Sequence, residues 1–368
     1  MQVLIVAFVV VGIIFLISNR FKKKCYQNFD TKIQFDQIRM IQDEDFYYEL
    51  ELTNRKFMIL PIIKIAVRVP SCFDIANMEG NPQSEMPYTY TVTTSLFWFQ
   101  RLKRKIRLMA HSRGVYEVET TITFMDLFGL VRVNYPETIK SRIMIHPKAL
   151  DTSFGIVSKQ GLQGNDVVQR WINKDPLLYS GFRDYTYTDS VKDIDWKMSA
   201  KQANLVVKTY DATSDPSIVF LYVGYKDEHY YTKQLEANIS LLARLIQDAL
   251  EKRVPVSFNT NFVIKGKMKQ TTGLENNQNH RIRILDMLAC ITYATGLDAT
   301  SYLLRSLPKW GQHHVFVIVM RYVDEGALQI IQQFAHRGYQ IQLFVQEPLK
   351  QYLRNVEVIQ MEVEPHDE

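Results

Sequence analysis

Residues 218–223 read Ile-Val-Phe-Leu-Tyr-Val, six apolar side chains in succession. Such a run leaves no face for water, so it predicts a strand buried on both sides, as in a parallel sheet covered by helices. Downstream, Leu235, Ile239, Leu242, Ile246 and Ala249 recur every three or four residues, the stripe of an amphipathic helix. Further strands are predicted at Val254–Phe258, Val315–Met320, Gln340–Val345 and Val356–Gln360, with helical stretches near 278–293, 298–306, 325–337 and 348–354. This alternation predicts a layered α/β domain with a largely parallel sheet over residues 213–361. The acidic stretch 362–368 reads as a fraying tail.

Residues 25–150 carry a different period. Tyr48, Leu50 and Leu52 alternate with Glu49 and Glu51, and Ile63, Ile65, Val67 and Val69 alternate around Lys64 and Arg68. Tyr116, Val118, Thr120, Ile122 and Phe124 repeat the pattern, while Asn81-Pro82 and Arg113-Gly114 mark turns. Short two-residue periods without a helix predict a β-sandwich or a small barrel. Between the two domains, residues 151–212 hold Gly155, Gly161, Gly164 and Gly181, a Gly-containing linker that ends in a polar segment.

Ahead of both domains, every residue from Val3 to Ile17 is apolar or Gly, and Arg20, Lys22, Lys23 and Lys24 follow at once. The run covers roughly 23 Å of a ~30 Å hydrocarbon core, and the trailing cations belong on the cytoplasmic side. Residues 1–24 are therefore expected to form a transmembrane anchor of a single-pass, bacterial-type membrane protein. Its N-terminus would lie outside the cell membrane and its soluble domains in the cytoplasm. A cleaved signal peptide needs its positive charges before the apolar run and small residues after it, and this order is the reverse. The expected fold class is thus α+β multidomain: transmembrane helix, β-sandwich-like domain, then α/β domain.

Composition narrows the function classes. A net charge of +5 over 368 residues is too mild for a dedicated nucleic-acid binder. Cys25, Cys72 and Cys290 are odd in number and far apart, which argues against a disulfide framework. The chain has no G-x-x-x-x-G-K-[ST], no G-x-S-x-G and no H-E-x-x-H, so no cofactor and no catalytic residue is expected.

The densest polar cluster runs from Gly181 to Lys201. Asp184, Asp189, Asp193 and Asp195 lie among Arg183, Lys192, Lys197 and Lys201. Asp189 suits a helix N-cap, and Asp193 and Lys197 are spaced to pair along a helix. A metal site wants carboxylates with fewer competing ammonium groups. An ion-pair corner packed on Trp196 and a partner-binding surface are the two readings of this cluster, and a hydrolase using Asp184, Asp189 and Asp195 is the enzymatic alternative.

The stretch from Arg183 through Lys208, R-D-Y-x-x-x-D-S-V-K-D-I-D-W-K-x-S-A-K and then N-L-V-V-K, resembles the family called domain of unknown function 58. Arg183, Tyr185, Asp189, Ile194, Trp196, Lys197, Ala200, Leu205, Val207 and Lys208 fall on its pattern, with Asp195 inside it. Arg113-Gly114-x-Tyr116 and Asp126-Leu-Phe-Gly-Leu130 are similar to two earlier elements of that family. Thr188 stands where the pattern has Gly, and Lys192 and Lys201 replace Arg. The resemblance implies a von Willebrand factor A-like α/β domain. It also implies partnership with a MoxR-type AAA+ ATPase and with transglutaminase-like membrane proteins. The loop of such a domain that would hold a metal reads Gly224-Tyr225-Lys226-Asp227-Glu228 here, without the two hydroxyls and leading carboxylate that a divalent cation requires, so no metal is expected. Thr300 and Asp324 are candidates for the other loops of that site.

Finally, Phe97-Trp98-Phe99 precedes Arg101, Lys103, Arg104 and Lys105. Aromatics beside cations suit an anionic leaflet or single-stranded nucleic acid, and a charged edge strand explains the same composition. With Arg20, Lys22, Lys23 and Lys24, these are the membrane-surface candidates; no nucleic acid is expected. The functional expectation is a membrane-anchored, non-enzymatic adaptor that binds protein partners in assembly or cell-envelope work, with an anionic-lipid- or nucleic-acid-binding scaffold as a further alternative.

Overall fold

The computed structural model describes residues 2–75, 87–150, 156–157, 181–185, 196–202, 204–209, 217–225, 232–266, 268–311, 314–349 and 353–361. The chain divides into two units, Met1–Lys148 and Ala149–Glu368.

The first unit is a β-sandwich. Its strands are β1 (Phe29–Phe35), β2 (Arg39–Ile41), β3 (Asp45–Asn54), β4 (Leu60–Val69), β5 (Phe73–Ile75), β6 (Tyr88–Leu96), β7 (Arg101–Ala110), β8 (Gly114–Met125), β9 (Arg132–Asn134) and β10 (Ile139–His146). One sheet runs β1-β3-β7-β5, the other β2-β10-β8-β4-β6 with β9 paired to β8. The two-residue period decides which side chains meet: Phe46, Tyr48, Leu50 and Leu52 of β3 share one core with Ile63, Ile65 and Val67 of β4 and Val118, Ile122 and Phe124 of β8. Within it the Tyr48 hydroxyl meets Thr120 Oγ1 at 2.7 Å, satisfying both buried hydroxyls.

The N-terminal helix α1 (Gln2–Lys24) corrects the expected architecture. Among the described residues no helix is long and apolar enough to cross a membrane. The transmembrane anchor therefore falls, together with the single-pass localisation, the outside N-terminus and the fold class built on them. The physical reason lies in how the helix is used. Its last turns dock on protein, with Phe21 and Cys25 buried in the sandwich core. The buried Ser18 hydroxyl donates to Asp126 Oδ2 at 2.7 Å. Lys56 Nζ donates to the carbonyls of Cys25 (2.5 Å) and Gln27 (2.7 Å), capping the chain just beyond the helix. The described chain is instead mostly β, folded into several sheets.

The second unit is built on a sheet of order β11-β20-β19-β18-β14-β15, from β11 (Ile156–Val157), β14 (Ile218–Tyr222), β15 (Val256–Thr260), β18 (Val315–Met320), β19 (Gln340–Val345) and β20 (Val356–Met361). Every pair is parallel except β11 with β20. All five side chains of β14 are buried, as its uninterrupted apolar run requires. Val219 and Leu221 share a core with α5 (Ala299–Ser306) and α6 (Glu325–His336). On the other face the Tyr222 ring packs on Phe262 at 4.6 Å, and its hydroxyl donates to the Leu235 carbonyl of α3 (Thr232–Glu251) at 3.5 Å. The helix expected over 278–293 ends sooner: α4 is Gln278–Cys290, and the chain continues as β17 (Ile291–Thr295), which pairs with β16 (Phe262–Ile264). There Ile291, Thr292 and Tyr293 are β-branched or aromatic, which favours strand over helix.

Candidate functional site

In an open parallel sheet the natural ligand crevice lies outside the carboxyl ends of the strands, where the strand order reverses. Here the chain leaves β14 for β15 on one side and returns to β18 on the other, so the reversal falls between β14 and β18. Gly224 and Tyr225 follow β14, and Arg321 to Asp324 follow β18.

At that reversal the described groups of the two loops meet one another. The buried Tyr225 ring stacks on Tyr322, centroids 4.4 Å apart and planes 10° from parallel. Its hydroxyl accepts from the Asp324 amide at 2.8 Å and donates to Asp324 Oδ1 at 3.1 Å. Oδ1 also accepts from the Ala327 amide at 2.8 Å, the N-cap of α6. Burial pushes the Tyr225 hydroxyl far above the ordinary phenol range, which keeps it a donor. Beneath it, the Asn261 side chain clamps the turn. Its Nδ2 donates to the carbonyls of Gly224 (2.6 Å) and Leu297 (2.8 Å), and its Oδ1 accepts from the Gly224 amide (2.9 Å).

Thr300 and Asp324 do converge. A Cβ on Gly326 would lie 3.1 Å from Thr300 Oγ1 and 3.8 Å from Asp324 Oδ2. Thr300 sits at the start of α5, whose N-cap Asp298 accepts from the Thr300 amide at 3.2 Å. Arg321 reaches Glu347 Oε1 at 3.1 Å. Among the described residues no group of three or more His, Cys, Asp or Glu stands close enough to hold a metal ion. Lys226, Asp227 and Glu228 lie outside the described residues. Sequence reasoning singled out Tyr225 and Asp324 but missed Asn261 and Tyr322, which join the crevice only through the fold.

The polar segment forms a second place of interest. β12 (Gly181–Asp184) pairs antiparallel with β13 (Val206–Thr209), setting Arg183 opposite Val207 and Lys208 opposite Phe182. The Tyr185 amide extends the ladder to the Leu205 carbonyl at 2.8 Å. Helix α2 (Trp196–Gln202) is tied to β13 by Ser199, whose buried Oγ accepts from the Val206 amide at 3.0 Å. This arrangement leaves Trp196 63% exposed and Leu205 46% exposed, with Lys197, Lys201 and Asp184 at the surface. Asp189, Ile194 and Asp195 lie outside the described residues.

The membrane-surface candidates separate into two groups. β7 pairs with β3 along its length and with the short β5 only over Leu108–Ala110, so among the described residues its Arg101–Lys105 half is paired on one side, and its cations form a ladder with β3. Arg101 meets Glu51 at 2.5 Å, Lys103 meets Glu51 at 3.4 Å and Lys105 meets Glu49 at 2.7 Å. The Lys105 ammonium holds the Glu49 carboxyl below its usual range. Arg104 is exposed. Arg20, Lys22, Lys23 and Lys24 stand exposed on α1, and among the described residues no ion pair engages them. Trp98 is half-exposed and stacks on Phe57, centroids 5.3 Å apart.

No family model matches the chain, and no curated protein matches it. Among solved structures, the chain is similar to trypsin-activated alpha-2-macroglobulin from Escherichia coli at 15% identity, over 33% of this chain and 7% of that one, with a TM-score of 0.24. It is also similar to a CARDB domain from Pyrococcus furiosus in complex with di-metal ions, at 14% identity over 32% of this chain and 94% of that one, TM-score 0.23. A non-cellulosomal cohesin from Archaeoglobus fulgidus gives 14% identity over 32% and 91%, TM-score 0.23. Likeness at this level carries no argument about function, and it does not bear on the resemblance to domain of unknown function 58.

Proposed function

We propose that this chain is a non-catalytic adaptor that binds a protein partner through the segment around α2, and that the partner is a MoxR-type AAA+ ATPase. The observation that carries the reading is the exposed indole of Trp196. A tryptophan held on a helix and left largely in water loses apolar contact that a partner restores, and Trp is enriched at the energetic centres of interfaces. Leu205, just before β13, is a second exposed apolar side chain of the same segment, and Lys197 and Lys201 are exposed on α2. The choice of partner rests on the resemblance of residues 183–208 to domain of unknown function 58. At the sheet reversal the described residues present a stacked tyrosine pair and no cluster of catalytic groups, which favours a binding role.

Calorimetric titration of the full chain with a purified MoxR-type ATPase from the same source tests this. Saturable binding is expected, and Trp196→Ala is expected to weaken it at least about tenfold, or about 1.4 kcal/mol. Absence of binding, or equal affinity in the variant, would remove the assignment.

A further inference from the structure

Three loops and one helix meet at a single end of the β-sandwich. The connection 55–59 leaves β3 and enters β4, and 97–100 leaves β6 and enters β7. Leu60 pairs with Leu96, and Thr53 with Arg101, so the two connections are neighbours. Asn54 Nδ2 binds them together, donating to the carbonyls of Met58 (2.8 Å) and Phe97 (2.7 Å). The turn 126–131 lies at the same end, because Met125 pairs with Ile62 at the start of β4. α1 is fastened to that end through Ser18 to Asp126 and through Lys56 to Cys25 and Gln27.

What these elements present is apolar. Phe57 is 79% exposed, Phe99 67% and Leu127 71%, with Trp98, Phe128 and Leu130 beside them. α1 adds exposed Phe8, Phe15 and Leu16, and a groove runs between Val11, Phe15 and Leu130. So many large apolar groups gathered at one end of a domain are rarely left without a use. Phe99 has φ 54°, in the left-handed region that a bulky side chain seldom adopts. The last turns of α1, fastened to this end, carry Arg20, Lys22, Lys23 and Lys24, exposed and without a carboxylate partner among the described residues, and Lys22 lines the groove with Leu130.

From this juxtaposition we infer that the rim formed by Phe57, Trp98, Phe99 and Phe128, with the cations of α1 beside it, docks onto an anionic lipid surface. Tryptophan at a loop tip settles among headgroups, its ring apolar and its N–H wet, while phenylalanine beside it buries apolar area at the acyl boundary. Cations at the same level attract an anionic leaflet. A second copy of the chain fits the rim less well, because two such clusters of four cations would face each other and repel. The inference concerns the headgroup layer and needs no segment that crosses.

Flotation of the full chain with vesicles of 30% phosphatidylglycerol in phosphatidylcholine tests it, alongside pure phosphatidylcholine vesicles. Co-flotation with the anionic vesicles is expected, weakened several-fold by 0.5 M NaCl. Phe57→Ala with Trp98→Ala and Phe128→Ala is expected to reduce partition at least about tenfold. Trp98→Phe serves as the milder variant: brominated lipid should quench tryptophan emission in the parent and less in Trp98→Phe. Equal partition of the triple variant, unchanged quenching in Trp98→Phe, or a dimer in light scattering that the triple variant dissolves would each overturn the assignment.

Discussion

Asn261 illustrates how much one buried amide can carry. It satisfies three backbone groups on two loops, Gly224 N–H, Gly224 C=O and Leu297 C=O, at a place where water is excluded. Asn261→Ala leaves all three unpaired, and each orphaned buried group costs about 1–3 kcal/mol. A loss of about 3 kcal/mol or more is expected in urea unfolding followed by a probe of the second unit. Tyr225→Phe removes one hydroxyl and leaves Asp324 Oδ1 its bond from Ala327, so a smaller loss of about 1–2 kcal/mol is expected. A larger effect for Tyr225→Phe than for Asn261→Ala would show that the hydroxyl, not the amide, holds the crevice shut.

Among the elements of the sandwich, the turn before β3 and the short strand β5 are joined through one imidazole. His111 Nδ1 lies 3.0 Å from Asp43 Oδ1, and Nε2 lies 2.6 Å from Asp74 Oδ2. The Asp74 carboxylate, opposed by partial desolvation and aided by Asp43, raises the His111 pKa above its usual value. A raised folded pKa stabilises the fold fully below the unfolded value of about 6.5, and that contribution is lost as pH rises through the folded value. The urea midpoint of the first unit is therefore expected to fall between pH 6 and pH 8. In His111→Gln that part of the pH dependence should vanish. Because the ring is about half exposed, solvent screens the pairs and the change is modest. By the same logic the β3–β7 ion-pair ladder orders the surface more than it stabilises it, since its lysines and arginines are mostly in water.

At the scale of the whole molecule, each unit owns a separate core: Leu50 lies in one and Phe316 in the other. Two cooperative transitions are expected in calorimetry. Leu50→Ala should lower one by about 2–5 kcal/mol, and Phe316→Ala should lower the other by about 3–5 kcal/mol. Coincident shifts of both transitions in either variant would show that the units unfold as one.

Much of this architecture is legible along the chain because side-chain period is a local property. Tyr48, Leu50 and Leu52 point inward on β3 since alternate residues must share a face, and the run from Ile218 forms a strand, Ile218–Tyr222, buried on both sides. The same locality misled the reading of α1: its apolar run suggested a span, while the contacts that use its last turns, Asp126 and Lys56, lie far away in sequence. Tertiary structure alone decided that Asn261 would reach Gly224, that Tyr322 would cover Tyr225, and that Phe57, Trp98 and Phe128 would gather at one end. Each depends on which strands become neighbours, and strand order is set by the packing of whole sheets, which no window of local sequence contains.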